Sequence, residues 1–177
     1  MDGSGDAAAK AYTFTVPPMS GVLWVITIPV IALPFVFTVV GLLQGSSVPF
    51  FIALSLFLLI ISVWFWMRPS RYRVDIGGLT IVWPLRRLRI PKESILGLRV
   101  LGRKQLKVEL GRAMRIGVGG LFGGFGFLWT RKRGLIRFYI TRLDRFVLID
   151  RRGDRPILIT VNDPDGMVQR QKELHER

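Results

Sequence analysis

The sequence predicts an α+β protein in which two membrane-length helices precede a mainly antiparallel β domain closed by a C-terminal helix. Three observations carry that prediction: two uncharged apolar runs, Gly21 to Leu43 and Pro49 to Met67; an apolar period of two beginning at Tyr72; and an apolar stripe at helical spacing near the C-terminus. The 177-residue chain is strongly basic, with 26 Lys and Arg against 12 Asp and Glu and a formal charge of +14.

At 1.5 Å per residue the two runs make helices of roughly 34 and 28 Å, enough to cross a hydrocarbon core of about 30 Å. The first holds fifteen Leu, Ile, Val or Phe between Val22 and Leu43. At about 0.3 to 0.6 kcal/mol each, their insertion outweighs the penalties of Thr27, Pro29, Pro34 and Thr38. Pro29 and Pro34 remove backbone donors and favour a kink, so this helix is expected to pack against a neighbour. The second run holds twelve such residues and no internal proline. A cleaved signal peptide is the rival reading of the first run, but the stretch is longer than a usual h-region and only Lys10 supplies basic charge before it.

The link Gln44-Gly45-Ser46-Ser47-Val48 is short and uncharged, which predicts an antiparallel hairpin. Twenty-five of the 26 Lys and Arg follow the second run, and the positive-inside rule then places both termini in the cytoplasm and the chain in the inner membrane as a multi-pass protein. Trp24, Trp64 and Trp66 fall at the cytoplasmic interface. The chain thus divides into a cytoplasmic tail (1–20), a transmembrane hairpin (21–67, spans about 21–43 and 49–67) and a cytoplasmic domain (68–177). The absence of cysteine fits a reducing compartment.

The remaining 110 residues suffice for one small domain with its own core. Tyr72 to Ile76, Leu79 to Trp83 and Arg86 to Ile90 alternate as strands, the first two joined by Gly77-Gly78. Gly97 to Leu101, Leu106 to Leu110, Gly134 to Ile140, Arg145 to Asp150 and Pro156 to Val161 read as further strands. Leu143-Asp144 and Arg152-Gly153-Asp154 supply turn chemistry. Asp163 and Pro164 open a terminal helix whose apolar stripe is Met167, Val168, Gln171 and Leu174.

These residues resemble the bacterial pleckstrin-homology-like membrane proteins. The resemblance is carried by Tyr72-Arg73-Val74, Gly78-Leu79-Thr80-Ile81, Leu88-Arg89-Ile90-Pro91 with Ile95, the run Gly119 to Gly126, Arg145-Phe146-Val147-Leu148-Ile149, and Asn162-Asp163-Pro164. It implies a PH-like antiparallel β sandwich or barrel with a C-terminal helix over roughly residues 68 to 175, and it supports a fold far better than a function. Phosphoinositide-binding relatives carry a basic cluster across the first hairpin turn. Here that turn is Gly77-Gly78 with no flanking lysine, so no inositol-phosphate site is carried over.

Gly117 to Gly126 holds six glycines in ten residues, interleaved with Leu121, Phe122 and Phe125 and followed by Trp129 and Arg131-Lys132-Arg133. A phosphate-cradling loop fails on context, because the spacing matches no dinucleotide fingerprint. A membrane-dipping loop would insert the aromatics while the basic triplet meets anionic headgroups. The preferred reading is structural: the glycines let a strand bend or a backbone approach, and the phenylalanines fill the core or cover a protein partner.

The basic clusters do not match a nucleic-acid recognition module, so no nucleic acid is expected as a partner. His175 is the sole histidine and no carboxylate cluster accompanies it; no catalytic residue, metal, cofactor or small-molecule substrate is expected. The chain is therefore expected not to be an enzyme. Arg68, Arg71, Arg73, Arg131, Lys132 and Arg133 are the candidate contacts to anionic lipid or a partner. Trp24, Trp64, Trp66, Phe122, Phe125 and Trp129 are the candidate interface aromatics. Two functions fit: an accessory subunit bound to other integral membrane proteins in a larger complex, or an independent surface module that binds anionic lipid or a peptide. Energy-transducing complexes, photosynthetic or respiratory, are one class of such assembly, although no pigment or haem ligand stands in the chain.

Overall fold

The computed structural model describes residues 11–175. Helix α1 (Gly21–Gln44) and helix α2 (Val48–Ser62), the latter continued by one π-helical turn (Val63–Met67), form the expected antiparallel hairpin. Gly45 ends α1 in the left-handed conformation (φ 61°) and donates its N–H to the Gly41 carbonyl. Pro49 sits in the first turn of α2, where its missing donor costs nothing. The Phe50 ring lies on Gly41, where a Cβ would come within 2.9 Å, so glycine sets how closely the helices approach. α1 continues through Pro29 and Pro34 and packs along α2, as the prolines require. Both helices are long and apolar enough to cross a membrane.

The domain is two sheets. Strands β1 (Tyr12–Thr15), β2 (Arg71–Asp75), β3 (Gly78–Val82) and β4 (Arg87–Pro91) form an antiparallel four-stranded sheet in that order. β5 (Ile95–Gly102), β6 (Ala113–Gly119), β7 (Gly124–Thr130), β8 (Gly134–Ile140), β9 (Arg145–Arg151) and β10 (Ile157–Ile159) form a six-stranded sheet ordered β5-β9-β10-β8-β7-β6. The sheets face one another over Tyr72, Val74, Leu79 and Ile81 on one side and Val147, Ile149, Ile157 and Ile159 on the other, all fully buried. The architecture is an open sandwich; no closed barrel forms among the described residues. Nor is it wholly antiparallel, because β10 returns parallel to β8 after β9 has passed.

Three segments depart from expectation. Leu106 to Leu110 is not a strand but part of helix α3 (Arg103–Leu110). Leu106, Val108 and Leu110 alternate like a strand, yet only Leu106 and Leu110, one turn apart, face inward, while Val108 is exposed. The Gln105 side chain accepts the Gly102 amide at 2.9 Å, and Gly111 closes the helix with positive φ. The glycine-rich segment, to which no strand is assigned from the sequence, is two paired strands whose backbones approach closely, in line with the preferred structural reading, and residues 12–15, placed within the N-terminal tail, pair with β2.

Helix α4 (Pro164–His175) forms where expected: the Asp163 carboxylate accepts the Gly166 amide at 2.9 Å, and Met167 and Gln171 are buried, with Val168 and Leu174 beside them. A second core lies on the other face of the six-stranded sheet, where Leu128, Phe138, Phe146 and Leu158 pack beneath Leu106 and Leu110 of α3.

Candidate membrane and partner interface

The domain meets the helices through the β6–β7 hairpin. Gly117 and Gly126 sit opposite one another, both with positive φ (142° and 134°). A Cβ on Gly117 would lie 2.3 Å from the Phe125 carbonyl oxygen, and one on Gly126 would lie 2.5 Å from that of Ile116. Only glycine allows this approach of two backbones.

The tip of the hairpin reaches α1. Thr27 is fully buried there; its Oγ1 donates to the Gly120 carbonyl at 2.7 Å and accepts the Phe122 amide at 3.2 Å. Leu121, Phe122 and Phe125 form a buried cluster with Val63 of the π-helical turn, flanked by Val30, Ile31 and Ile60 of the two helices. Trp64 meets Phe122 edge-on with ring centroids 4.6 Å apart, and the Arg68 guanidinium stacks 4.3 Å above Trp64. Partial burial lowers the Arg68 pKa from its ordinary value, but a guanidinium so placed stays charged at neutral pH. On the other side, Trp83, buried in the sandwich, donates its indole N–H to the Met67 carbonyl at 3.1 Å. The helix base is thus tied to both sheets.

This junction changes the reading of two aromatics. Phe122 and Phe125 are 7% and 1% exposed, so the interface they make is internal, between the domain and its own helices. Trp24, Trp64, Trp66 and Trp129 are exposed, and Trp129 lies beside exposed Met114 and Ile116 of the edge strand β6. Thr27→Val keeps the shape at the junction but strands a carbonyl and an amide. The expected cost is about 1–3 kcal/mol per unsatisfied group, with Thr27→Ser retaining most of the stability, as read by thermal unfolding in mild detergent.

The basic triplet splits. Arg133 is committed to an ion-pair network: it bridges Glu109 of α3 and Asp150 of β9 (2.7 Å), while Arg99 contacts Asp150 at 2.7 Å and Glu109 at 3.2 Å. The hydrogen bond that Arg99 donates to the Asp150 carboxylate raises the Arg99 pKa. Lys132 donates to the Val108 carbonyl at 2.8 Å, in the last turn of α3. Of the three, only the Arg131 side chain is exposed without such a partner among the described residues, while Lys132 and Arg133 brace α3. Their partners lie up to 24 residues away, and no local signal in the sequence announces them.

The four-stranded sheet supplies a basic face instead. Its pairing sets Arg73, Thr80 and Arg89 in one row and Arg71, Val82 and Arg87 in the next. The four arginines are exposed around a shallow depression of about 320 Å³. Rows on one face of a strand are spaced by two residues, about 7 Å, close enough for one anionic group to meet more than one guanidinium. Arg71 and Arg73 are among the candidate contacts named from the sequence; Arg87 and Arg89 are added by the strand pairing. Among the described residues no group of three or more His, Cys, Asp or Glu is placed to hold a metal ion.

A family model described as bacterial PH domain matches residues 70–174. No curated protein and no solved structure matches the chain.

Proposed function

The chain belongs to the bacterial PH domain family, and from that premise we propose that it is a non-catalytic accessory subunit of a larger integral membrane complex. In this reading α1 and α2 span the inner membrane with both termini in the cytoplasm. The domain acts as a bracket on the cytoplasmic face. The observation that carries the reading is the docking of the β6–β7 tip on the helix base through Thr27 and Phe122, which gives the domain and the helices one relative orientation. A flexible tether would serve a diffusing sensor as well; a rigid junction serves a part that must fit between neighbours. The apolar faces of both helices, including Val25, Phe35, Phe51 and Leu58, stand exposed beyond that junction and are available to partner helices. Exposed Met114, Ile116 and Trp129 form a second apolar patch on the domain, on the part of the β6–β7 hairpin away from its tip.

The expected result of purification from native membranes in a mild detergent is co-elution at fixed stoichiometry with other integral proteins, identified by mass spectrometry. A small monodisperse particle containing this chain alone contradicts it. The arginine face favours a second reading, an independent module that binds anionic lipid. Each cation near anionic lipid contributes on the order of 1 kcal/mol. That reading predicts the small particle together with binding to phosphatidylserine vesicles that weakens as salt rises.

A further inference from the structure

Between α3 and the six-stranded sheet lies a cavity of about 240 Å³ that the bracket function does not use. Its floor is apolar: Leu128, Phe138, Ile140, Phe146 and Leu158 from the sheet, roofed by Leu106 of α3. Arg103 and Lys107 of α3 and Arg115 of β6 line it, all three exposed, and no lining residue is acidic. Among the described residues none of these three cations is ion-paired. An apolar cavity whose only ionic groups are positive matches a ligand with an apolar body and an anionic head. The volume is below the roughly 300–1,000 Å³ of sites for drug-sized molecules, which favours a single chain over a ring system.

The position of the cavity names the source. Leu143, in the β8–β9 turn, lines one end. Two residues before it, the Thr141 carbonyl accepts the Ser20 amide at 3.2 Å and the Thr141 hydroxyl donates to the Pro17 carbonyl at 3.1 Å, directly before α1 begins. That end of the cavity therefore lies at the helix-bearing end of the domain. The other end lies at Gly111 and Ala113, where α3, which Glu109 pins to Arg99 and Arg133, gives way to β6.

We propose that this cavity binds a single acyl chain with an anionic head, taken from the inner leaflet, with the tail on the apolar floor beneath α3 and the head between Arg103, Lys107 and Arg115. The source of the ligand rests on the membrane reading above; the cavity chemistry does not.

The test uses the full chain in phosphatidylcholine nanodiscs with a photoreactive laurate and, as a control, the matching alcohol. The expected result is crosslinks on peptides carrying the floor residues, competed by plain laurate and abolished by Leu106→Trp, which fills the roof. The pair Arg103→Glu and Lys107→Glu is expected to lower labelling by at least about tenfold at unchanged melting temperature, so the proposal does not depend on how the Trp variant folds. Label confined to α1 and α2, or equal labelling of the floor by the alcohol, overturns the proposal. Failure of the membrane reading looks different: the chain leaves membranes in alkaline carbonate, while the labelling contrast between acid and alcohol persists in solution.

Discussion

Alanine in place of Phe125 is expected to lower stability by about 3–5 kcal/mol, the usual cost of emptying a buried phenylalanine site. The ring is 1% exposed, packs with Leu121, Phe122 and Val63, and is so close to Gly123 that a Cβ there would touch it at 2.7 Å. The neighbours belong to a tight hairpin on one side and to helices on the other, so the site cannot collapse to fill the space. For a protein of this size the loss corresponds to a fall in melting temperature on the order of 10 °C. The same variant is expected to expose the β6–β7 tip to limited proteolysis, since Phe125 helps to hold that tip on the helices. A melting temperature within about 2 °C of the parent, with the tip still protected, would show that the junction is not held by this cluster.

The second large effect is expected from a single methyl group. Gly126→Ala places a Cβ 2.5 Å from the Ile116 carbonyl oxygen on a backbone with φ of 134°, a conformation L-residues avoid. Backbone strain of this kind costs about 1–3 kcal/mol before any clash is counted, and the clash is with backbone of the paired strand, which cannot move aside without breaking the ladder. Gly119→Ala, two strand positions from Gly117, is the internal control: nothing lies within 4 Å of its added Cβ. The expected outcome in a urea or thermal titration is a loss of about 3 kcal/mol or more for Gly126→Ala and a change near zero for Gly119→Ala. Equal effects would mean that the hairpin does not bring its backbones together as described.

The strands from Arg71 to Pro91 were legible because one of their faces is solvated. Arg71, Arg73, Arg87 and Arg89 alternate with Tyr72, Val74, Leu88 and Ile90, and that alternation is the strand signal itself. α4 was legible through Asp163, Pro164 and its stripe. β6 and β7 were not, because glycine carries neither strand propensity nor a side chain whose burial could alternate, and their pairing depends on the close backbone approach that glycine permits. α3 was misread because eight residues with Leu106, Val108 and Leu110 fit both periods, and the decisive Gly102–Gln105 bond is a contact of only two atoms. β1 is four residues long and acquires its partner β2 across the whole helical hairpin, a pairing no local pattern encodes.

The sequence shows the clustered cations and aromatics of the candidate site, but sequence position does not say which of them find partners inside the chain. Lys132 and Arg133 are spent on α3, and Phe122 and Phe125 on the helix base. The exposed residues Arg71, Arg73, Arg131, Trp24, Trp64, Trp66 and Trp129 remain candidates, Trp64 while also packing on Phe122. Thr27 was counted only as a penalty to membrane insertion. Its two hydrogen bonds to the hairpin tip cross more than 90 residues of sequence and became visible only in the folded chain.

The arrangement of spans and domain is tested most directly by cysteine labelling, which the cysteine-free sequence makes clean. Single variants Ser47→Cys, at the exposed turn between the helices, and Arg152→Cys, on an exposed turn of the domain, are treated in intact cells with a membrane-impermeant maleimide. In a Gram-negative host the outer membrane is permeabilised first. The account predicts labelling of Ser47→Cys at once and of Arg152→Cys only after lysis; labelling of Arg152→Cys in intact cells, or protection of Ser47→Cys, contradicts it.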